Sequence, residues 1–157
     1  MNVYNHELDY GNQLDGKTIT VINRSEVVGR PLAALLANDG AKIFSVDLDG
    51  ILQFHRGPGR IKQKVTQTEL KLEEVLPLSD VVIAGVPKKD YKVPTNLLKQ
   101  GVFAINFSSD QNFMEDVTSK ASTFIPAIGK MTIVMLQRNL LRLYDYRRDA
   151  AIRFRAY

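Results

Sequence analysis

The chain has 157 residues, which is enough for one domain with a sizeable hydrophobic core. Hydrophobic and charged residues make up 45% and 24% of it, as in globular proteins, and the lack of cysteine excludes disulfides, thiolate metal ligands and a catalytic thiol. With no apolar run near the roughly 20 residues that span a bilayer and no signal peptide at the amino terminus, we expect a cytoplasmic protein without a membrane partner.

The net charge of +4 is modest, and much of the excess is in the last sixteen residues. Arginines at the end of a helical pattern complement the helix dipole. No aromatic platform or nucleic-acid module accompanies them, so we expect no nucleic-acid partner. The arginines concerned are Arg142, Arg147, Arg148, Arg153 and Arg155.

The first half of the chain alternates between strand and helix patterns. Lys17–Asn23 is rich in β-branched residues, which predicts a strand. Gly29–Asn38 predicts a helix, with a proline in its first turn and an Asp-Gly pair after its end. Lys42–Leu48 predicts a second strand. The polar stretch Asp49–Arg60 predicts a loop, and Ile61–Val65 predicts a short strand.

The second half continues the alternation. Thr68–Leu76 predicts a short amphipathic helix, and Asp80–Val86 is a nearly continuous apolar run typical of a strand buried on both faces. Pro94–Lys99 predicts a short helix and Val102–Phe107 another buried strand. Phe113–Ala121 is interpreted as helical.

The chain ends with a predicted short strand, Thr123–Ile125, and its longest helical pattern, Met131 to about Arg147. The alternation predicts a Rossmann-like, doubly wound α/β fold: an open, mostly parallel sheet with helices on both faces. Residues 1–16 are interpreted as a lead-in segment and residues 17–150 as the domain. Ligands of such sheets bind beyond the carboxyl ends of the strands, where the strand order switches.

The loop Asn23–Pro31 joins the first strand to the first helix, the position of a phosphate-binding turn. At the three positions where that turn usually has glycine stand Asn23, Ser25 and Val28. Side chains would then replace backbone contacts, with a forked pair of hydrogen bonds from Arg24 and a hydroxyl from Ser25, beside free N–H groups of the helix. An ordinary turn with a solvated arginine explains the pattern equally well.

Asp47 ends the second predicted strand, eighteen positions after Gly29 and close to the spacing of about 20 expected for a ribose-binding carboxylate. Such a group accepts hydrogen bonds from the ribose hydroxyls of NAD and repels the additional phosphate of NADP. The alternative is an aspartate that only opens the turn at Asp49-Gly50.

Two further strand ends are candidate cofactor contacts. Small residues in the run Ala84, Gly85, Val86 would let a flat ring approach the backbone, although a tight turn stopped by Pro87 is an alternative. The loop Asn106-Phe107-Ser108-Ser109 at the next strand end is similar but less informative.

Residues for catalysis or metal binding are not recognisable. His6 and His55 lie far apart among polar residues, so both are interpreted as surface histidines. No grouping has metal-ligand spacing, and no nucleophile elbow is present. The sequence therefore predicts no catalytic residue and no metal site in this chain.

Leu14–Leu36 closely resembles the methylenetetrahydrofolate dehydrogenase family, whose signature is a strand ending in G-R-S, then V-G-x-P and a leucine-rich helix. Ile125–Thr132 is similar to that family's P-G-G-V-G-P-M-T segment, and Gln137-Arg138-Asn139 to the stretch after it. The resemblance spans roughly residues 11 to 145. A relative of shikimate dehydrogenase fits less well.

The departures from the family pattern point to one branch. Asn23 replaces the usual glycine, and Ala127-Ile128-Gly129-Lys130 replaces the glycine-rich loop. With Asp47, this is similar to the monofunctional NAD-dependent fungal enzymes. The resemblance puts Asp47 at the adenosine ribose and Thr132 near the nicotinamide. The expected NAD contacts are Asn23, Arg24, Ser25, Val28, Asp47, Ala84, Gly85, Val86, Asn106 and Thr132.

The family also has an amino-terminal folate-binding domain whose Tyr-x-x-x-Lys motif supplies a catalytic lysine. No tyrosine of this chain has a lysine four positions later. The resemblance therefore implies the cofactor half of an enzyme that transfers hydride from 5,10-methylenetetrahydrofolate to NAD. The folate domain would be missing, and the cofactor domains would pair as a homodimer. The alternative is a non-catalytic dinucleotide-binding or self-association module.

Overall fold

The structure, a computed structural model, describes residues 3–56 and 63–155, with side chains up to residue 148. Its strands are β1 Thr18–Ile22, β2 Lys42–Asp47, β3 Gly50–Arg56, β4 Gln63–Thr68, β5 Val81–Ala84, β6 Val102–Asn106 and β7 Ala121–Ile125. Its α-helices are α1 Gly29–Asn38, α2 Leu72–Val75 and α3 Gly129–Arg155. Short 3₁₀ segments cover Leu76–Leu78, Thr95–Leu97 and Glu115–Ser119.

The strands form one sheet in the order β4-β3-β2-β1-β5-β6-β7. Strands β2, β1, β5, β6 and β7 are parallel, and the antiparallel β3–β4 hairpin extends the sheet beyond β2. The chain moves outward from β1 to β2, then returns to β5 on the other side of β1. The predicted Rossmann-like, mostly parallel fold is confirmed, and its switch in strand order lies between β1 and β5.

Both faces of the sheet carry a hydrophobic core. On one face, Ala33 and Ala37 of α1 are buried in a cluster with Val21 and Ile43. On the other, Val75 of α2 packs in a cluster with Phe44 and Val82. The prediction of helices on both faces is confirmed. All four residues of β5 are buried, as the apolar run predicted.

The loop predicted over Asp49–Arg60 is wrong for residues 50–56, which form β3, while residues 57–60 lie outside the described residues. Of the predicted strand Ile61–Val65, residues 61–62 also lie outside, and β4 runs over Gln63–Thr68. Strand β3 forms because its backbone pairs with β2, and Leu52 and Phe54 join the cluster under α1. Asp49 before the strand, Gly50 at its start and the polar residues Gln53 and His55 within it conceal that pattern in the sequence.

Three predicted helices are shorter than the sequence indicated. Thr68 belongs to β4, so the helix predicted over Thr68–Leu76 is reduced to α2 and the 3₁₀ turn after it. The segments Pro94–Lys99 and Phe113–Ala121 each contain only a 3₁₀ turn. These connections pack across one sheet face over a short distance, and a single turn suffices to bury Leu98 or Val117 there.

The chain divides into two compact units, residues 1–126 and residues 127–157, the second built around α3. Leu14 of the lead-in segment is fully buried in the core beneath α1. The predicted domain limits at residues 16 and 150 stay predictions. Within the described residues, no helix combines the length and apolar content needed to cross a membrane.

Candidate functional site

Four loops open at the same edge of the sheet, because the parallel strands β2, β1, β5 and β6 all end there. They follow Asp47, Ile22, Ala84 and Asn106 respectively. The structure thus brings together the predicted site residues of the first unit, residues 1–126.

Asn23 bridges the switch in strand order. Its φ of 84° lies in the left-handed region, which asparagine tolerates better than most residues. Its backbone N–H donates to the Val46 carbonyl (3.0 Å), and its Nδ2 donates to the Gly85 carbonyl (2.6 Å). One side chain therefore ties the loop after β1 to the loop after β5.

Arg24 contacts two carboxylates. Its backbone N–H donates to Oδ2 of Asp47 (2.7 Å), whose Oδ1 accepts the N–H of Leu48 (2.7 Å). Its guanidinium donates to Oδ1 of Asp49 (2.5 Å) and to the Gly50 carbonyl (3.0 Å). The forked pair of hydrogen bonds expected for phosphate is made to the β2–β3 turn instead. Sequence reasoning overlooked Asp49, because an Asp-Gly pair signals a turn.

Ser25 organises the start of α1. Its hydroxyl oxygen accepts the N–H groups of Val28 and Gly29 (3.2 Å each), and its carbonyl accepts that of Arg30 (3.0 Å). The expectation of free N–H groups in this first turn is therefore wrong for these donors, since Ser25 satisfies them. Val28 precedes the helix and is 41% exposed.

Gly29 lies where α1 begins, in close contact with the start of the Asn23–Gly29 loop that follows β1. A Cβ on Gly29 would lie 1.9 Å from the Asn23 carbonyl oxygen, so only glycine lets α1 start this close to the end of β1.

Gly85 is required by a different contact. A Cβ there would lie 1.9–2.3 Å from atoms of the Phe107 ring, which packs directly on this glycine. Ala84 before it is fully buried, and the N–H of Gly85 donates to the Ile22 carbonyl (3.1 Å). The small residues at this strand end thus admit an aromatic ring of the protein itself.

Asn106 and Asn112 hold the loops after β5 and β6 together. The buried Asn106 amide donates to the carbonyls of Ser108, Asp110 and Pro126 (3.0–3.2 Å) and accepts the N–H of Asn112. Asn112 in turn bonds both the N–H and the carbonyl of Val86 (2.8 and 2.9 Å). Val86 and Asn106 are therefore fixed by a buried amide network that no sequence motif indicated.

The last expected cofactor contact is Thr132, and the two histidines are His6 and His55. Thr132 belongs to the second unit, where its hydroxyl donates to the Ile128 carbonyl one turn earlier (3.1 Å). His6 is exposed as predicted, but His55 on β3 is half-buried, and its Nδ1 is buried with no hydrogen-bond partner among the described residues. Those residues contain no group of three metal-ligating side chains.

Two known proteins of the same name match more than nine tenths of this chain. The chain is 54% identical over 149 residues to the methylenetetrahydrofolate dehydrogenase [NAD(+)] of Schizosaccharomyces pombe, covering 93% of this chain and 47% of that protein. It is 46% identical over 145 residues to the Dictyostelium discoideum protein of the same name, covering 92% and 46%. The chain belongs to the methylenetetrahydrofolate dehydrogenase family.

Solved structures of the methylenetetrahydrofolate dehydrogenase family support the fold. The NAD-dependent 5,10-methylenetetrahydrofolate dehydrogenase of Saccharomyces cerevisiae superposes with a TM-score of 0.86 at 50% identity, covering 90% of this chain and 47% of that one. A silkworm 5,10-methylenetetrahydrofolate dehydrogenase, at 20% identity and a TM-score of 0.65 over 86% and 46% of the chains, shares the fold. No family model matches. The chain spans about half the length of these relatives.

Proposed function

We propose that this chain is the NAD-binding half of a 5,10-methylenetetrahydrofolate dehydrogenase, which transfers hydride from 5,10-methylenetetrahydrofolate to NAD and gives 5,10-methenyltetrahydrofolate. The observation that carries the proposal is the half-buried Asp47 carboxylate at the end of β2, held by the N–H of Arg24 beside the switch in strand order. The names of the relatives from S. pombe and S. cerevisiae support both the reaction and the cofactor.

The residues present fit NAD. Each oxygen of Asp47 accepts one backbone N–H and retains a lone pair for a ribose hydroxyl. A carboxylate at this position selects a ribose without a 2′-phosphate. Asn23 and Ser25 fix the loop that would face the pyrophosphate. Ala84 is fully buried and Phe107 packs on Gly85, so the roles of Ala84, Gly85 and Val86 as cofactor contacts stay predictions. The roles of Val28, Asn106 and Thr132 as cofactor contacts stay predictions.

Bound NAD supplies the hydride acceptor in this reaction. The residues of this chain bind and orient the dinucleotide, and we assign no proton transfer to any of them. The folate substrate is held by a second domain that carries the catalytic groups, since the family's Tyr-x-x-x-Lys motif is absent from this sequence. A homodimer and a cytoplasmic location belong to the same proposal.

Calorimetric titration of the 157-residue chain with NAD tests the proposal. We expect measurable but weak binding and no dehydrogenase activity. The variant Asp47→Ser removes the ribose acceptor and one negative charge, so NAD binding should weaken by about tenfold and discrimination against NADP should relax. Asp15→Ser is the matched control, because Asp15 precedes β1 at the opposite edge of the sheet.

Three results would contradict the proposal. A chain that binds no NAD has no cofactor site, and unchanged NAD affinity in Asp47→Ser removes the role of the carboxylate. Turnover by this chain at the rate of a two-domain enzyme would show that the catalytic groups lie within it.

A second candidate function is self-association, favoured by the exposed apolar surface of α3. Ile133, Leu136, Leu140 and Leu143 recur at spacings of three and four residues, so they share one helix face, and each is 60–69% exposed. Such a stripe is typical of helices that pair with a second helix. Sedimentation velocity of the chain across a range of concentrations would detect this association.

A further inference from the structure

The environment of the Arg24 side chain bears on which dinucleotide the proposed site accepts. The side chain is only 7% exposed although Arg24 lies in a surface loop. Its guanidinium is paired with Asp49 at 2.5 Å, and Asp49 itself is 80% exposed. The same residue holds Asp47 through its backbone N–H. One arginine therefore connects both carboxylates at the end of β2.

The position of the Arg24 guanidinium is relevant because arginine binds phosphate in related sites. In dinucleotide-binding sheets, an arginine near the end of the second strand accommodates the 2′-phosphate of NADP. Arg24 follows β1, but its guanidinium reaches the turn after β2, where Asp49 is its counter-ion. A buried cation requires a partner, since an unpaired buried charge is strongly unfavourable. A phosphate would have to displace Asp49 and also approach the charge of Asp47.

We propose that Asp49 is a second specificity-determining residue, which restricts the site to NAD by keeping Arg24 in an ion pair. The inference rests on the proposed function, because it concerns the cofactor that this site binds. The carboxylates of Asp47 and Asp49 carry two negative charges and the Arg24 guanidinium carries one positive charge, so the net charge beside the ribose is negative. That charge favours hydroxyls and opposes a 2′-phosphate.

The turn geometry makes the role of Asp49 separable from the position of Arg24. The Gly50 carbonyl also accepts a hydrogen bond from the guanidinium (3.0 Å), and Gly50 has a φ of 115° in the left-handed region. Neutralising Asp49 therefore leaves Arg24 anchored by Gly50 but without a counter-ion. An anion at this position then relieves the unpaired charge.

The test is a calorimetric titration of the 157-residue chain and its Asp49→Asn variant with NAD, NADP, 5′-AMP and adenosine 2′,5′-bisphosphate. In Asp49→Asn, we expect the affinities for NADP and for the bisphosphate to rise about tenfold, whereas those for NAD and 5′-AMP change by less than about threefold. The control Asp15→Asn removes the same charge at the opposite edge of the sheet and should leave the NADP-to-NAD ratio unchanged.

A double-mutant cycle separates the ion pair from simple loss of charge. If Asp49 acts through Arg24, Asp49→Asn in an Arg24→Gln background should raise NADP affinity far less than it does alone. Asp49→Glu, which keeps the charge, should retain the preference for NAD.

The outcomes distinguish the two proposals. If a folded Asp49→Asn variant binds NAD normally and its ratio of NADP to NAD affinity is unchanged, the role of Asp49 is overturned but the proposed function is not. An equal rise in the Arg24→Gln background also overturns it. Failure of the unaltered chain to bind either dinucleotide overturns the proposed function, and the inference falls with it. If Asp49→Asn does not fold, loss of NAD preference in Asp49→Glu provides the refutation.

Discussion

Single residues at the end of β1 combine a local conformation with a long-range contact. Asn23 adopts a positive φ and donates across the switch in strand order to Gly85. Gly29 and Gly85 lack a Cβ because a carbonyl oxygen and an aromatic ring occupy that space. These constraints act independently of any ligand, so the loop is preformed for the pyrophosphate that we propose it faces.

At Asn23, two substitutions separate the backbone strain from the side-chain bridge. Asn23→Gly removes the bridge to Gly85 but tolerates the positive φ, whereas Asn23→Ala loses the bridge and is also strained. We expect Asn23→Ala to lower the free energy of unfolding by about 2 kcal/mol and Asn23→Gly by about 1 kcal/mol or less. Urea denaturation measures both values. Equal losses would show that the backbone conformation carries no strain.

At the scale of elements, Asp80 joins three strands at the edge of the sheet opposite the proposed site. Its carboxylate accepts the backbone N–H of Thr18 at the start of β1 (3.0 Å) and the ammonium of Lys99 (2.5 Å). Its own carbonyl accepts the N–H of Phe103 in β6 (2.9 Å). The register of β1, β5 and β6 therefore depends partly on one charged residue.

This arrangement predicts an acid-dependent stability. Burial raises the pKa of Asp80, but the hydrogen bonds from Lys99 and Thr18 and the charges of Lys99 and Lys17 outweigh it, so the pKa is lowered from 3.8. A depressed folded pKa contributes stability that is present above the unfolded value and is lost as the pH falls through the folded value. Asp80→Asn should cost about 1 kcal/mol at pH 7 and weaken the acid dependence below about pH 4.

Thermal unfolding of the chain and of Asp80→Asn between pH 2 and pH 7, values set by the ordinary carboxyl range, measures this dependence. Asp15→Asn removes an aspartate from the turn before β1 and serves as the control. Parallel pH profiles for the chain and Asp80→Asn would show that Asp80 does not contribute.

At the scale of the whole molecule, the second unit exposes apolar side chains along much of α3. Leu140 lies in the middle of the stripe and is 67% exposed. If this stripe mediates self-association, Leu140→Glu should raise the dissociation constant of the associated chain by about tenfold or more, because a carboxylate would be buried in an apolar contact.

The control is Arg138→Gln, which makes the same change of net charge at an exposed position on the other side of the helix. Sedimentation equilibrium compares the three proteins at matched concentrations. A monomeric chain at all concentrations, or equal weakening by both variants, would rule out the stripe as the contact.

Much of the fold could be predicted from local patterns. β-Branched and apolar runs identify β1, β2, β5 and β6, and the bounds of α1 were predicted correctly, because hydrophobic periodicity and its stop signals act over a few residues. The loop at Asn23–Gly29 was located for the same reason, since strand, turn and helix follow each other directly. The prediction of Asp47 used its place at the end of the second predicted strand, its spacing from that loop and the family resemblance.

Only the tertiary structure decided the partners of these residues. Strand β3 exists because β2 offers a free edge, Gly85 is small because Phe107 packs on it, and Arg24 points to Asp49 because the hairpin turn brings the carboxylate to it. The sequence by itself determined β1, α1, β2, β5 and β6 in their order, and the family, because local propensity and motif spacing are properties of neighbouring residues. Pairing across the sheet depends on distances between segments that are far apart in the chain, so it could be determined only once the chain was folded.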